Sequence, residues 1–173
     1  MIDLSQKSGK NKSLSRLAFF TAFAITIFVA ESFIPKPFPF MKLGLANIIV
    51  LLLLITDGFR AALIVTLSKS IFGGFFSGIL ISPATLMSLS GSLISVLVMF
   101  LFFHSGINFS LIGLSIIGAV GHNIAQLFVV RMILIKNSSI LYLTPVLIVL
   151  GIATGIITGF TASMLFKKMQ EKL

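Results

Sequence analysis

Glu31, Asn47, Lys69, His122, Asn123, Gln126 and Arg131 are polar or ionisable residues set inside long apolar stretches. A charge in hydrocarbon is costly, so such side chains turn toward a protein interior or a wet cavity and take partners there. Ammonium, guanidinium, imidazole, amide and carboxylate groups in one bundle can line a cavity for a polar small molecule. Lys69, Arg131, Lys36 and Lys42 outnumber the single acid Glu31, which points to an anionic or phosphorylated ligand, because Lys and Arg are the natural partners of such oxygens. The structural alternative is that Glu31 pairs with Lys69 or Arg131, and that Asn47, His122 and Gln126 satisfy hydrogen bonds between helices. The loop lysines would then snorkel to lipid headgroups.

Other chemistries lack their residues. The acids are Asp3, Glu31, Asp57 and Glu171, scattered along the chain rather than paired to hold a hard cation such as magnesium. His104 and His122 have no nearby carboxylates with which to form a metal site. There is no cysteine, so disulfides, thiol catalysis and cysteine-held metals are excluded. No Gly-rich loop ends in Lys-Ser/Thr, so any energy for transport must come from a partner or an ion gradient. No catalytic residues, metal or cofactor are therefore expected, and an enzymatic role is disfavoured.

The elements that must position the polar groups follow from composition. Of 173 residues, 57% are hydrophobic and 10% charged, with a mean hydropathy of +1.16; a small soluble domain cannot hide so much apolar surface. The fold class expected is an all-α membrane protein, a bundle of six transmembrane helices. The net charge of +9 does not indicate nucleic acid, because the basic residues are sparse rather than gathered in a stripe. Trp is absent, leaving Tyr142 as the candidate interfacial aromatic.

Residues 1–13 read as a flexible basic cytoplasmic tail and residues 14–173 as a single transmembrane domain. The expected spans are Leu14–Ile34, Pro39–Thr56, Phe59–Ser77, Pro83–His104, Phe109–Ile135 and Ile140–Phe166, most of them close to the roughly 20 residues that cross a bilayer. The second is short and could lie partly inside the bundle. Pro35, Pro37 and Pro39 end the first span in an extended loop, and Asp57-Gly58 marks a tight turn. A cleaved signal peptide is the competing reading of the N-terminus, but the apolar run continues past Ala24 to Ile34.

Orientation follows from the basic residues beside the spans. With the N-terminus inside, Lys7, Lys10, Lys12, Arg16, Arg60, Lys167, Lys168 and Lys172 fall on the inner side, against Lys36, Lys42 and Lys136 outside. Both termini are thus expected in the cytoplasm, with the chain a multi-pass protein of the cell membrane. Glu31, Asn47, Lys69 and Arg131 then lie in the outer half and His122, Asn123 and Gln126 at mid-depth, around a cavity opening outward. Gly151, Gly155, Gly159 and Ser163 recur every four residues in the last span, a stripe that permits close helix approach. Ala18 and Ala22 share that spacing on the first.

Glu31-Ser32-Phe33-Ile34-Pro35 followed by Lys42-Leu43-Gly44-Leu45-Ala46-Asn47, together with Gly118-Ala119-Val120-Gly121-His122-Asn123-Ile124-Ala125-Gln126, resembles a membrane family labelled heptaprenyl diphosphate synthase component I or Gx transporter. Enzymes that join prenyl diphosphates hold magnesium with Asp-rich motifs, so the synthase label implies a non-catalytic membrane subunit supporting polyprenyl diphosphate or quinone synthesis beside a soluble prenyl synthase. The architecture also resembles the S components of energy-coupling factor transporters, which bind vitamins or similar molecules in an outward-facing pocket. That likeness implies a small-molecule ligand, a transmembrane coupling subunit with its ATPases as partner, and Ala18 and Ala22 as the contact.

Overall fold

The computed structural model describes residues 4–34, 44–134 and 138–171, with side chains described from Ser13 onward except at residues 138 and 139. The expected proline loop, with Lys36 and Lys42, and the expected loop residue Lys136 lie outside the described residues. Among the described residues there are six α-helices: α1 Leu4–Ser32, α2 Asn47–Thr56, α3 Phe59–Phe76, α4 Pro83–Phe103, α5 Leu111–Ile133 and α6 Thr144–Gln170, with a 3-10 helix at Ser138–Leu143. Among the described residues there is no strand.

Helix α1 begins earlier than expected, at Leu4 rather than Leu14. No proline interrupts the preceding stretch, and extending an existing helix adds about one hydrogen bond per residue fixed. Its apolar part is Ser13–Ser32, and the earlier turns project beyond it. Helix α6 starts at Thr144 because Pro145 sits in its first turn, where a missing N–H costs nothing. It runs past Phe166 through Lys167 and Lys168, whose charges suit a helix C-terminus.

Of the six expected transmembrane helices, the second, already expected to be short, is shorter than its expected span Pro39–Thr56. Among the described residues five helices are long and apolar enough to cross a membrane, which makes the chain a multi-pass membrane protein. Helix α2 has 10 residues, about 15 Å of helix against a hydrocarbon core of roughly 30 Å. Gly44 explains its late start: its φ of 76° is a left-handed conformation that ends or precedes a helix but does not continue one. The path nevertheless returns across the bundle. Gly44 N–H donates to Glu31 Oε1 at one end of α1 (2.6 Å), and Asp57 pairs with Arg16 near the other (3.2 Å). The segment from Gly44 to Asp57 therefore descends beside α1.

Every residue from Ile48 to Leu54 is buried, so α2 has no lipid-facing side and occupies the centre of the bundle. It touches α1, α3, α4 and α6. Around it the longer helices pack in the order α1–α3–α4–α5–α6. Phe28 of α1 meets Gly73 of α3; Phe59 of α3 meets Phe100 of α4 with ring centroids 4.5 Å apart; Gly118 of α5 faces Ser95 and Met99 of α4.

The α5–α6 seam is the tightest. A Cβ on Gly155 would stand 2.6 Å from the Ile116 Cα, and one on Gly159 2.7 Å from the Ile112 Cα. The glycine stripe therefore packs backbone on backbone, although Ser163 turns its hydroxyl back to the Phe160 carbonyl (2.7 Å). Ser115 and Thr158 share a hydrogen bond of 2.7 Å within the same seam. These contacts set α3 beside α1 in the same direction and make α4, α5 and α6 alternate, so the start of the α1 span and the end of α6 emerge at one end of the bundle.

Candidate functional site

Three helices bring polar groups together near the end of the bundle opposite the termini. Glu31 sits in the last turns of α1 and is 3% exposed. Its carboxylate accepts the Gly44 N–H, while Asn47 N–H closes the turn onto the Gly44 carbonyl at 2.8 Å. The segment Gly44-Leu45-Ala46-Asn47 is thus a turn that offers one amide to α1 and one side chain to α3. On α3, the Lys69 ammonium donates to Asn47 Oδ1, with Lys69 only 2% exposed.

Burial of this kind requires compensation, since an isolated ammonium in the interior is strongly disfavoured. The amide oxygen of Asn47 supplies part of it. An ammonium has three donors, so Lys69 keeps donor capacity beyond the Asn47 bond. The arrangement can orient a carboxylate, phosphate or carbonyl oxygen against Lys69.

A second polar group lies on α4 and α5. A Cβ on Gly91 would stand 2.9 Å from the His122 ring and 3.0 Å from Gln126 Cγ, so the glycine makes room for both. His122 and Gln126 are buried and, one helical turn apart, share the face toward α4. Contacts at Phe59–Phe100 and Gly74–Thr85 set the register of α3 against α4, so Lys69 and Ser70 fall at the level of Ser88 to Ser92. Those residues in turn lie at the level of His122 and Gln126. The two groups therefore occupy one depth of the bundle.

The remaining predicted residues are placed elsewhere. Asn123 faces away from α4, and its Nδ2 donates to the Leu147 carbonyl at 2.9 Å, tying α5 to the first turn of α6. Arg131 is half-buried in the last turn of α5, where its charge complements the helix C-terminus; among the described residues no hydrogen bond or ion pair joins it to Glu31, Asn47 or Lys69. Ala18 and Ala22 are exposed on α1, followed at the same spacing by exposed Thr26 and Ala30. Thr26 keeps a low profile by bonding its hydroxyl to the Ala22 carbonyl (3.0 Å).

Several contributors had no polar signature that singled them out. Gly44 acts through its backbone and fell inside the expected span Pro39–Thr56, where nothing marked it as a turn. Among the described residues, the buried hydroxyls of Ser70 on α3 and Ser95 on α4 have no hydrogen-bond partner. Among the described residues no cluster of His, Cys, Asp and Glu could hold a metal ion.

Compared with known proteins, residues 20–165 match the family described as heptaprenyl diphosphate synthase component I. No curated protein and no solved structure matches the chain. The likeness to energy-coupling factor S components thus has no solved counterpart to support it.

Proposed function

From the chain's membership of the heptaprenyl diphosphate synthase component I family, we propose that it is a membrane subunit that captures a small anionic or vitamin-like ligand from the outer side and works through a coupling partner. The single observation carrying this reading is the Lys69 ammonium, buried between α1, α2 and α3 with donor capacity beyond its bond to Asn47. A lysine needed only for packing would be replaced by an apolar residue at less cost. Glu31, Asn47, His122 and Gln126 complete the proposed lining, with Arg131 at its outer rim and Asn123 holding α5 against α6 behind it.

The exposed row Ala18, Ala22, Thr26 and Ala30 fits close approach by a transmembrane coupling subunit served by ATPases. Basic Arg16, Arg60, Lys167 and Lys168 share the end of the bundle where the termini emerge, which favours a cytoplasmic location for both termini in the cell membrane.

Native mass spectrometry of the gently extracted protein tests the reading, because it distinguishes a bound small molecule from a bound protein by mass. A ligand should be present, and Lys69→Ala should weaken it roughly ten- to a hundredfold, the worth of a hydrogen bond to a charged group. Unchanged affinity in Lys69→Ala would refute this site.

The second reading is a non-catalytic membrane subunit supporting polyprenyl diphosphate or quinone synthesis. The word "component" in the family description favours it, and the chain's four acids are too scattered to hold magnesium, so catalysis would belong to a soluble prenyl synthase. Such a synthase should co-purify and change its product length when this chain is removed; an unaltered product would end that reading.

A further inference from the structure

The ring of helices around α2 is not closed. Helix α1 packs on α3 and α2, and α6 packs on α5 and α2, leaving a cleft between α1 and α6 whose floor is α2. Its volume is about 290 Å³. Phe19, Phe20 and Phe23 form one wall, Ile49 and Leu52 the floor, and Leu165 and Met169 the other wall, with Lys168 completing the lining. Phe19 and Phe23 stack with centroids 6.3 Å apart, and Phe20 stands edge-on to Phe19 at 5.8 Å, giving a continuous aromatic surface.

The cleft is amphiphilic along its length. It is apolar except at Lys168, which is exposed near the C-terminal end of α6 and, among the described residues, has no hydrogen bond or ion pair. Arg16 and Lys167 lie at the same end of the bundle. A basic residue at the edge of an intramembrane cleft is the arrangement that recognises a lipid phosphate, with the hydrocarbon chain filling the apolar part. An apolar side chain from a partner helix would fill the cleft but bring no counter-charge to Lys168, whereas a phospholipid brings chain and phosphate together. Anionic phospholipid is also present at the membrane surface in large excess over any rarer phosphorylated amphiphile, and mass action favours the abundant ligand.

We propose that the α1–α6 cleft is a binding site for one anionic phospholipid of the leaflet at the terminal end of the bundle, its phosphate on Lys168 and an acyl chain along Phe19, Phe23, Leu52 and Leu165. The lipid completes the ring by bridging helices that do not pack on one another. This site is separate from the Lys69 region and stands whether or not that region binds a ligand.

The protein, reconstituted in vesicles of mixed phosphatidylglycerol and phosphatidylcholine and released into mild detergent, is examined by native mass spectrometry for retained lipid. One phosphatidylglycerol per chain is expected. Lys168→Gln should lower its retention about fivefold, the effect of one basic residue near the membrane surface, while Lys167→Gln, with the same charge change outside the cleft lining, should not. Leu165→Trp, which fills the cleft and keeps Lys168, should also displace the lipid. Equal loss in Lys167→Gln and Lys168→Gln, retention of phosphatidylcholine instead, retention undiminished in Leu165→Trp, or the absence of retained lipid would each overturn the proposal.

Discussion

Replacing Gly155 by alanine adds one methyl group to the middle of α6. Judged by helix propensity alone, the change should stabilise the protein by about 1 kcal/mol. The seam with α5 opposes it, because the new Cβ would stand 2.6 Å from the Ile116 Cα and 3.0 Å from its nitrogen. Both are backbone atoms that no rotamer change can move. To restore an ordinary contact the helices must part by roughly 0.8 Å locally, and a gap of that size forfeits about a quarter to a half of each neighbouring dispersion contact. Overpacking of this kind costs about 1–3 kcal/mol, which outweighs the propensity gain.

Gly121→Ala is the internal comparison. Its Cβ would lie 3.7 Å from the side chains of Ile94 and Val98, at ordinary contact, so propensity should prevail and stability should hold or rise. Unfolding in mixed micelles by titrating a denaturing detergent, followed by circular dichroism, measures both variants against the parent. Gly155→Ala should unfold at a lower denaturant fraction and Gly121→Ala at an equal or higher one. If Gly155→Ala is as stable as Gly121→Ala, the backbone approach does not govern this seam.

Asn123→Ala removes the bond to the Leu147 carbonyl and should cost about 0.6 kcal/mol, a typical value for an interhelical hydrogen bond in a membrane, read by the same titration; a large loss of ligand affinity without loss of stability would instead place Asn123 in the site. Asp57→Asn breaks a partly exposed ion pair with Arg16 and should cost no more than about 1 kcal/mol in thermal unfolding. The chain lacks cysteine, so single cysteines report its sidedness directly. In intact cells an impermeant maleimide should label Ile81→Cys and Tyr142→Cys but leave Ser105→Cys and Gln170→Cys unmodified until the membrane is opened. Labelling of Ile81→Cys and Ser105→Cys from the same side would contradict the path of α4.

Much of this arrangement was legible in the sequence where apolar length and spacing carry it. The spans containing α3, α4 and α5 needed only hydropathy and their flanking Gly, Ser and Pro. The Gly151–Gly155–Gly159 row announced a close seam because four-residue spacing returns to one face. Helix α2 was harder. Phe38, Phe40, Leu43 and Leu45 extend its apolar run, and hydropathy does not register the backbone conformation of Gly44 that delays the helix to Asn47. His122 and Asn123 show a similar limit. Adjacent on α5, they diverge by about 100°, so one turns to α4 and the other to α6, and only the packing reveals which. Lys69 and Asn47 could be placed at a common depth by counting, but their hydrogen bond required knowing that α2 lies against α3.

Helix α2 also bears on how the chain enters the membrane. Spanning about half the hydrocarbon thickness, it is a poor candidate for autonomous insertion, and its exposed backbone ends would be unsatisfied in lipid. Its wholly apolar surface would adhere indiscriminately if it waited in water. Stable placement therefore depends on neighbours arriving: α1 before it, and α3, α4 and α6 after it in order of synthesis. The centre of the bundle is translated early and completed late, which makes the interval before α6 emerges the period in which the nascent chain is most in need of protection.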